Sequence, residues 1–162
     1  MIVRNAEISD IERVAEIERL SYPTAEGASE AQISERINAF PENFFILENN
    51  GEVLAFINGI RTDSSELTDE MYENTSLNQR NGSRFMVFSV VTNPSYRRKG
   101  YASRVMEELI SECRNRDISE IVLTCKEKLI PFYSRFGFIY EHVSGSVHGG
   151  AVWHQMRLKL AE

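Results

Sequence analysis

A basic segment with a single glycine lies between an apolar run and a helical pattern, and this order constrains the fold more than any other feature of the chain. The apolar run extends from Phe85 to Val91, and the turn-like Thr92-Asn93-Pro94-Ser95 follows it. The basic segment itself is Arg97-Arg98-Lys99-Gly100-Tyr101-Ala102. Apolar residues then recur at helical spacing, at Val105, Leu109 and Ile110. The sequence therefore predicts a buried strand, a basic loop and a helix in that order.

The start of that helix is a predicted binding site for an anion. A helix N-terminus exposes backbone N–H groups without intrahelical acceptors and carries the positive end of the helix dipole. Gly100 and the small Ala102 let an anion approach the backbone closely, which favours a pyrophosphate group. The alternative is an ordinary solvated basic loop, because a six-residue match by itself is weak evidence.

Composition limits the class of protein. The 162-residue chain is long enough for one domain that buries about 70% of its unfolded surface. Hydrophobic residues make up 42% of the chain and charged residues 26%, which is typical of a globular protein. The net charge of -6 argues against a nucleic-acid partner and is compatible with a cationic substrate.

The cysteines and the apolar runs predict the compartment. Cys113 and Cys125 lack metal-ligand spacing, so we expect two buried free thiols, no metal site and a reducing, cytoplasmic location. The N-terminus lacks the apolar stretch of a signal peptide, and no run comes near the roughly 18 apolar residues of a membrane span. We therefore expect no membrane association.

The remaining patterns predict four helices and seven strands. Ser9 and Glu12 form a capping-box pattern before the first helix, whose buried stripe includes Leu20. Asn49-Asn50-Gly51 predicts a hairpin turn, whereas residues 63–82 fit no regular element apart from a helical hint at 67–72. The predicted helices are residues 9–20, 29–40, 101–116 and 129–136, and the predicted strands are residues 1–7, 43–48, 52–61, 84–91, 120–125, 138–142 and 152–160. Residues 22–28 are predicted to form a loop. The order indicates one α/β (α+β) domain, residues 1–162, with a mixed sheet.

Several motifs resemble those of the GNAT N-acetyltransferases, in the order in which that family has them. The basic segment is similar to the family's Q/R-x-x-G-x-G/A loop, which binds the pyrophosphate of acetyl-CoA. Leu123-Thr124-Cys125 and the run from Ile130 to Phe138, Ile-Pro-Phe-Tyr-Ser-Arg-Phe-Gly-Phe, look like the second half of the family's core. Within the family, the chain most resembles the arylalkylamine (serotonin) N-acetyltransferases, through the run from Pro131 to Phe138, Glu16-Ile17-Glu18-Arg19 and Ala55-Phe56-Ile57. The resemblance implies a mixed, mostly antiparallel sheet of about seven strands flanked by about four helices.

The resemblance also implies roles for particular residues. Tyr133 matches the tyrosine that protonates the coenzyme A sulfur, although helix spacing alone favours a packing role. Backbone groups around Val90 to Thr92 would hold pantetheine and the acetyl carbonyl. The expected coenzyme contacts are Val90, Val91, Thr92, Arg97, Arg98, Lys99, Gly100, Tyr101, Ala102, Ser103 and Phe132. The expected contacts of the acceptor substrate are Met86, Phe88 and Thr124.

The proton path of the acceptor amine departs from that of the arylalkylamine enzymes. Met86 and Phe88 stand where the vertebrate serotonin enzyme has two histidines that relay the proton. We expect ordinary surface or packing roles for the three histidines of this chain, His142, His148 and His154. Glu26, in the loop that lines the family's acceptor pocket, is the candidate base, and a solvated loop glutamate is its alternative. Five carboxylates could attract a cationic acceptor or form a solvated face: Asp63, Glu66, Asp69, Glu70 and Glu73.

The resulting expectation is a cytoplasmic enzyme, a monomer or homodimer, that transfers an acetyl group from acetyl-CoA to a small, cationic or aromatic primary amine in a ternary complex. One alternative is acetylation of a protein or peptide, which needs an open groove for the acceptor. Another is a non-catalytic module that binds acyl-CoA.

Overall fold

Seven strands and five α-helices make up the described part of the chain, residues 1–23 and 25–160, in this computed structural model. The strands are β1 (Ile2–Asn5), β2 (Phe44–Asn49), β3 (Glu52–Thr62), β4 (Arg84–Thr92), β5 (Glu120–Cys125), β6 (Ile139–Val143) and β7 (His154–Lys159). The helices are α1 (Ile11–Ser21), α2 (Glu30–Ala39), α3 (Asp69–Glu73), α4 (Tyr101–Asn115) and α5 (Ile130–Ser134). Thr24, within the predicted 22–28 loop, and the last two residues of the predicted 1–162 domain lie outside the described residues.

The strands form one mixed sheet in the order β1-β2-β3-β4-β5-β7-β6. Strands β4 and β5 are parallel, and the pairs β1–β2, β2–β3, β5–β7 and β6–β7 are antiparallel. The predicted fold class, a mixed and mostly antiparallel sheet with flanking helices, is confirmed. The hairpin at Asn49-Asn50-Gly51 is confirmed as well, with φ of 50° at Asn50 and 81° at Gly51.

The chain divides into two compact units, and β3, β4 and α4 contribute residues to both. The first unit comprises Met1–Gly59 and Ser89–Leu109, and the second comprises Ile60–Phe88 and the residues from Ile110 onward.

The core of the first unit forms where α1 and α2 pack on the strands. Ser29 caps α2, because Gln32 N donates to Ser29 Oγ at 3.1 Å and Ser29 N donates to Gln32 Oε1 at 3.0 Å. Pro41 follows the last turn of α2 and prevents the helix from continuing. The buried side chains of the helices and strands that meet here are Val14, Ile17, Ile33, Ile37, Phe44, Ile46, Val53, Phe56 and Val91.

The core of the second unit is closed by residues 63–83, which include the segment 63–82 that the sequence pattern could not place. Its Leu67 and Met71 pack against Ile60, Met86 and Val122 of the sheet. Polar contacts attach the segment to the end of β3: Gln79 Oε1 accepts from Thr62 Oγ1 at 2.9 Å, and Arg61 Nη2 donates to Gly82 O at 2.8 Å. The segment is therefore an ordered cover of the sheet.

Two predictions for the first helix are wrong. A 3-10 turn, Ile8–Asp10, precedes α1, and the cap lies there, since Glu7 N donates to Asp10 Oδ2 at 2.7 Å. Arg4 holds Asp10 in place, and Ser9 lies inside the 3-10 turn, so it does not cap the helix. Leu20 is 62% exposed, whereas Glu18 is 3% exposed. Because α1 packs through its 14-15-18 face, a glutamate occupies the buried position expected of an apolar residue.

Candidate active site

The basic loop is anchored by Asn93, which is 2% exposed at the end of β4. Asn93 N donates to Leu54 O at 2.9 Å, and Asn93 Nδ2 donates to Val53 O at 2.9 Å. Asn93 Oδ1 accepts from Ser95 N at 3.1 Å. One buried amide therefore fixes the start of the loop to β3.

The loop itself has a conformation that leaves the start of α4 open. Arg98 has φ of 66° and Gly100 has φ of 79°, and a Cβ added to Gly100 would meet no atom within 4 Å. Glycine is therefore favoured here by its φ angle and not by close neighbours. Arg104 N donates to Gly100 O at 3.1 Å, so the amides of residues 101–103 precede the first intrahelical bond. Arg97, Arg98 and Lys99 are all exposed. An open helix start surrounded by three cations can bind a polyphosphate.

Four buried polar side chains of the first unit form a cluster that the sequence analysis missed. Arg36 Nη1 donates to Asn58 Oδ1 at 3.2 Å, and Asn58 Nδ2 donates to Ser89 Oγ at 2.7 Å. Ser89 Oγ donates to Glu18 Oε1 at 3.4 Å, while Glu18 Oε2 accepts from Ala28 N at 2.9 Å. None of the four is more than 8% exposed. The cluster links α1, α2 and the 22–28 loop to β3 and β4.

A sequence signal for this cluster existed. Glu18 falls four residues after Val14, and Arg36 falls three residues after Ile33, so both charges lie on apolar helical stripes. A charge in such a position must find a buried partner, which makes it a candidate functional residue.

Glu26 lies in a hydrogen-bonded turn. Glu26 N and Gly27 N donate to Pro23 O at 2.9 and 3.1 Å. The side chain is half-buried, and its Oε1 atom is buried. Tyr22 Oη, from the same loop, donates to Val90 O at 3.4 Å. The described part of the loop is thus attached to β4 at one of the predicted coenzyme contacts.

In the second unit, β4 and β5 separate. Their paired residues are Arg84 with Glu120, Phe85 with Ile121 and Met86 with Val122, and the described pairing stops there although both strands continue. Phe88 and Thr124 are the next residues on the same faces as Met86 and Val122. The separation of β4 from β5 therefore begins beyond Met86.

Aromatic rings gather beside this opening. Tyr72 lies 4.8 Å from Phe88 and stacks on His148 at 5.0 Å with an interplanar angle of 11°. His148 is also 6.1 Å from Trp153, whose Nε1 donates to His148 O at 2.7 Å. Asp69 of α3 accepts from Ser146 Oγ and, at 3.2 Å, from Val147 N. Helix α3 and the loop before β7 are thereby held together.

Tyr133 is 7% exposed on α5. Its ring meets Phe132 edge-on at 5.0 Å and Phe138 at 6.0 Å. Burial, with the nearby Cys125 thiol adding to the effect, raises the pKa of Tyr133 well above its ordinary value. The hydroxyl therefore keeps its proton at neutral and alkaline pH, as a proton donor must.

The other predicted residues differ in what they can offer a ligand. Met86 is fully buried, so it has no open surface, whereas Phe88 and Thr124 are partly exposed. Asp63 accepts from Ser83 N at 2.9 Å, and this hydrogen bond lowers the pKa of the Asp63 carboxyl. Asp63, like Asp69, therefore helps to hold residues 63–83 in place. His142 lies on the edge strand β6 and His154 on its neighbour β7, where His154 Nδ1 is 3.2 Å from Tyr140 Oη.

Residues 1–23 and 25–160 contain neither a group of metal ligands nor a membrane-spanning helix. No three histidine, cysteine or acidic side chains within these ranges are grouped so as to hold a metal ion. No helix in the same ranges has both the length and the apolar character needed to cross a bilayer.

Curated relatives align with the chain over limited lengths. The protein named "Probable hydrolase YhcX", from Bacillus subtilis, is 22% identical over 145 residues, covering 84% of this chain and 27% of that protein. "Uncharacterized N-acetyltransferase ycf52", from Porphyra purpurea, is 36% identical over 59 residues, which is 36% of this chain and 34% of that one. The chain spans about a quarter to a third of the length of these relatives.

Solved structures superpose on nearly the whole chain. The GNAT-like decarboxylase GphF, in complex with isobutyryl-CoA, has a TM-score of 0.86 at 15% identity and covers 99% of this chain and 100% of its own. YncA from Salmonella typhimurium, with its cofactor acetyl-CoA, has a TM-score of 0.72 at 18% identity, with coverage of 99% and 94%. The ribosomal-protein-S18-alanine N-acetyltransferase from Escherichia coli has a TM-score of 0.70 at 18% identity, with the same coverage of 99% and 94%. These likenesses concern the fold.

The sequence model of the "Acetyltransferase (GNAT) family" matches residues 11–138. The matched range includes the loop before α4, strands β4 and β5, and Tyr133 on α5. The chain therefore belongs to the GNAT acetyltransferase family.

Proposed function

We propose that this protein transfers an acetyl group from acetyl-CoA to the primary amine of a small molecule, directly and within a ternary complex. The start of α4 carries the proposal, because Gly100 at φ of 79° opens the helix amides beside three exposed cations. This geometry fits the pyrophosphate of a coenzyme. YncA, which shares the fold, holds acetyl-CoA.

Each set of residues has a proposed role. The amides of Tyr101, Ala102 and Ser103, with the side chains of Arg97, Arg98 and Lys99, bind the phosphates. Backbone groups of Val90, Val91 and Thr92 bind pantetheine and polarise the acetyl carbonyl, and Phe132 borders the coenzyme. Tyr133 protonates the leaving thiolate, a role supported by its ring being held by Phe132 and Phe138 and by a hydroxyl that is protonated at neutral pH.

The acceptor is proposed to be an aromatic or alkyl amine that is cationic before it loses its proton. Glu26 would hold the ammonium and accept that proton. Phe88 and Thr124 would contact the amine substrate, with Met86 supporting them from beneath. The net charge of -6 favours the approach of a cation.

A protein acceptor is the second candidate, since the Escherichia coli structure is that of an enzyme named for a ribosomal-protein alanine. A peptide needs an open groove. Residues 63–83 instead cover the sheet of the second unit with Leu67 and Met71 buried, which favours a small acceptor.

The decisive experiment measures thiol release from acetyl-CoA with a panel of primary amines and N-terminal peptides, with product masses determined. Amine-dependent release with a product heavier by one acetyl group supports the proposal. Acetylation of peptides alone supports the second candidate, and acetyl-CoA binding without release supports a non-catalytic module. Malonyl-CoA belongs in the same panel because GphF is a decarboxylase. Tyr133→Phe protein from a parallel preparation controls for contaminating enzymes.

The proposal extends to the organisation of the protein. Residues 1–162 would act as one N-acetyltransferase domain, as a monomer or homodimer, because the family match draws on both units. The two free, buried cysteines favour a reducing compartment such as the cytoplasm.

A further inference from the structure

We infer that Thr124 and Gln155 form a polar anchor for the acceptor, beside an aromatic wall made by Phe88, Tyr72 and His148, and that the acceptor is an aromatic amine. The inference rests on the proposed function and assigns residues of its acceptor site. All five residues belong to the second unit.

Thr124 and Gln155 are adjacent on one face of the sheet. They are directly paired across β5 and β7, so their side chains point to the same side. Val122, two residues before Thr124, packs on that side against Met71 and Met86. The pair therefore lies on the face that residues 63–83 cover.

Both side chains have unused hydrogen-bonding capacity. Gln155 is 1% exposed, and its Nε2 donates to Glu141 Oε1 at 2.9 Å, which fixes the orientation of the amide. Its Oε1 is buried and accepts no hydrogen bond from the described residues. The Thr124 hydroxyl likewise makes none with them. Since buried polar atoms are almost always paired, the Gln155 oxygen, with the partly exposed Thr124 hydroxyl beside it, indicates a ligand that brings N–H donors.

The pairing of β4 with β5 ends next to this pair of side chains. The β4–β5 pairing stops at Met86 and Val122, so Thr124 and Phe88 flank the place where the strands separate. Both side chains are partly exposed there.

The aromatic wall is fixed in place by its surroundings. His148 stacks on Tyr72 at 5.0 Å, and Tyr72 lies 4.8 Å from Phe88. Trp153 holds the backbone of His148, and Asp69 holds Ser146 and Val147 just before it. A rigid group of rings next to polar acceptors fits a flat ring that carries an amine.

The test compares 2-phenylethylamine with 2-cyclohexylethylamine, which has the same amine without the π system. Binding of each to the coenzyme A complex is measured by calorimetry, together with the KM values for amine and acetyl-CoA. Thr124→Val and Gln155→Met each remove a polar group at nearly constant volume. We expect each to weaken 2-phenylethylamine binding about 10-fold without changing acetyl-CoA affinity. Thr124→Ser restores the hydroxyl and should recover most of the binding.

The wall is tested by Tyr72→Leu, which should abolish the preference for the phenyl over the cyclohexyl amine, whereas Tyr72→Phe should keep it.

Absence of 2-phenylethylamine binding to the wild type, or unchanged binding in folded Thr124→Val and Gln155→Met, would overturn the anchor. Equal binding of both amines would overturn the aromatic wall. Binding that responds to the variants without acetyl transfer would count against the proposed function alone. Acetyl transfer that is unchanged in Thr124→Val and Gln155→Met would count against the anchor alone.

Discussion

Tyr133 has two properties that suit a proton donor to a leaving thiolate, a hydroxyl that is protonated at neutral pH and a ring held by neighbouring rings. Tyr133→Phe keeps the ring and removes only the hydroxyl. We therefore expect an unchanged unfolding transition and a fall in kcat of about 10²- to 10⁴-fold. Steady-state kinetics with thermal unfolding on the same preparation checks this. A wild-type kcat, with chemistry shown to limit the rate, would leave Tyr133 a packing role only.

Glu26 is the second residue whose chemistry can be tested by one substitution. Glu26→Gln should lower kcat/KM for the best amine, because the neutral amide neither holds the ammonium nor accepts its proton. With no histidine relay, the wild-type profile should rise toward alkaline pH without an inflection near the ordinary histidine pKa of about 6.5. Glu35→Gln, an exposed position of α2, is the matched control. Superimposable profiles for wild type and Glu26→Gln would remove Glu26 from the mechanism.

At the residue scale, local motifs indicated only part of the candidate site. The basic loop and Tyr133 belong to contiguous patterns, so the sequence pointed to them. Gln155 lies in a strand with nothing unusual about its neighbours, and its orphaned amide oxygen arises only from the β5–β7 pairing and the bond to Glu141. Such groups depend on contacts between distant segments, which one sequence does not display.

At the scale of elements, a matched pair of glycine substitutions can separate the role of the start of α4 in binding from the effect of backbone strain. Gly100 and Gly51 have φ of 79° and 81°, and a Cβ would meet nothing within 4 Å at either position. Any residue with a Cβ pays about 1 kcal/mol for that φ at both sites. Gly100→Glu should abolish acetyl-CoA binding, since it places bulk and negative charge at the phosphate site. Gly51→Glu should cost similar stability and leave binding intact. Calorimetry measures the acetyl-CoA affinity of both variants. Equal affinities of the two variants would show that the loop before α4 does not bind the coenzyme.

The 63–83 segment depends on one close backbone approach. A Cβ on Gly82 would lie 2.5 Å from Thr62 N, which is too close for any side chain. Gly82→Ala should therefore destabilise the fold by about 1–3 kcal/mol and increase proteolysis within the segment. Gly145→Ala, which would meet nothing within 4 Å, should stay within about 0.5 kcal/mol of wild type. Urea unfolding measures both, and equal stability of the two variants would contradict the predicted role of the close approach.

The same segment explains why element prediction was incomplete. Helices α2 and α4 have strong apolar periodicity, so the sequence located them. Residues 63–83 owe their path to Gln79 bonding Thr62 and to Arg61 bonding Gly82, which are contacts between turns and a strand end. Such contacts leave no periodic pattern of apolar residues in the local sequence.

For the whole molecule, the buried thiols make stability depend on pH. Burial raises the pKa of Cys113 to about 12 and that of Cys125 to about 11. An unfolded thiol ionises near pH 8.5, so above roughly that pH the unfolded chain loses protons that the folded chain retains. The free energy of unfolding should be unaffected by the thiols below this pH and then fall by up to about 1.4 kcal/mol per pH unit for each thiol.

Urea unfolding between pH 8 and pH 9.5 checks this dependence. Cys113→Ala and Cys125→Ala should each reduce the slope, whatever they do to the stability itself. A slope that neither substitution changes would show that the thiols are not responsible.

Arg98 holds a left-handed conformation, with φ of 66°, in a loop fixed at one end by Asn93 and at the other by α4. An arginine in that region is strained by about 1 kcal/mol or more, and the cost falls on folding rather than on binding. The loop is thus pre-organised, and a bound anion need not supply the free energy that shapes it. A glycine at this position would relieve the strain and give the loop back the freedom that binding would then have to remove.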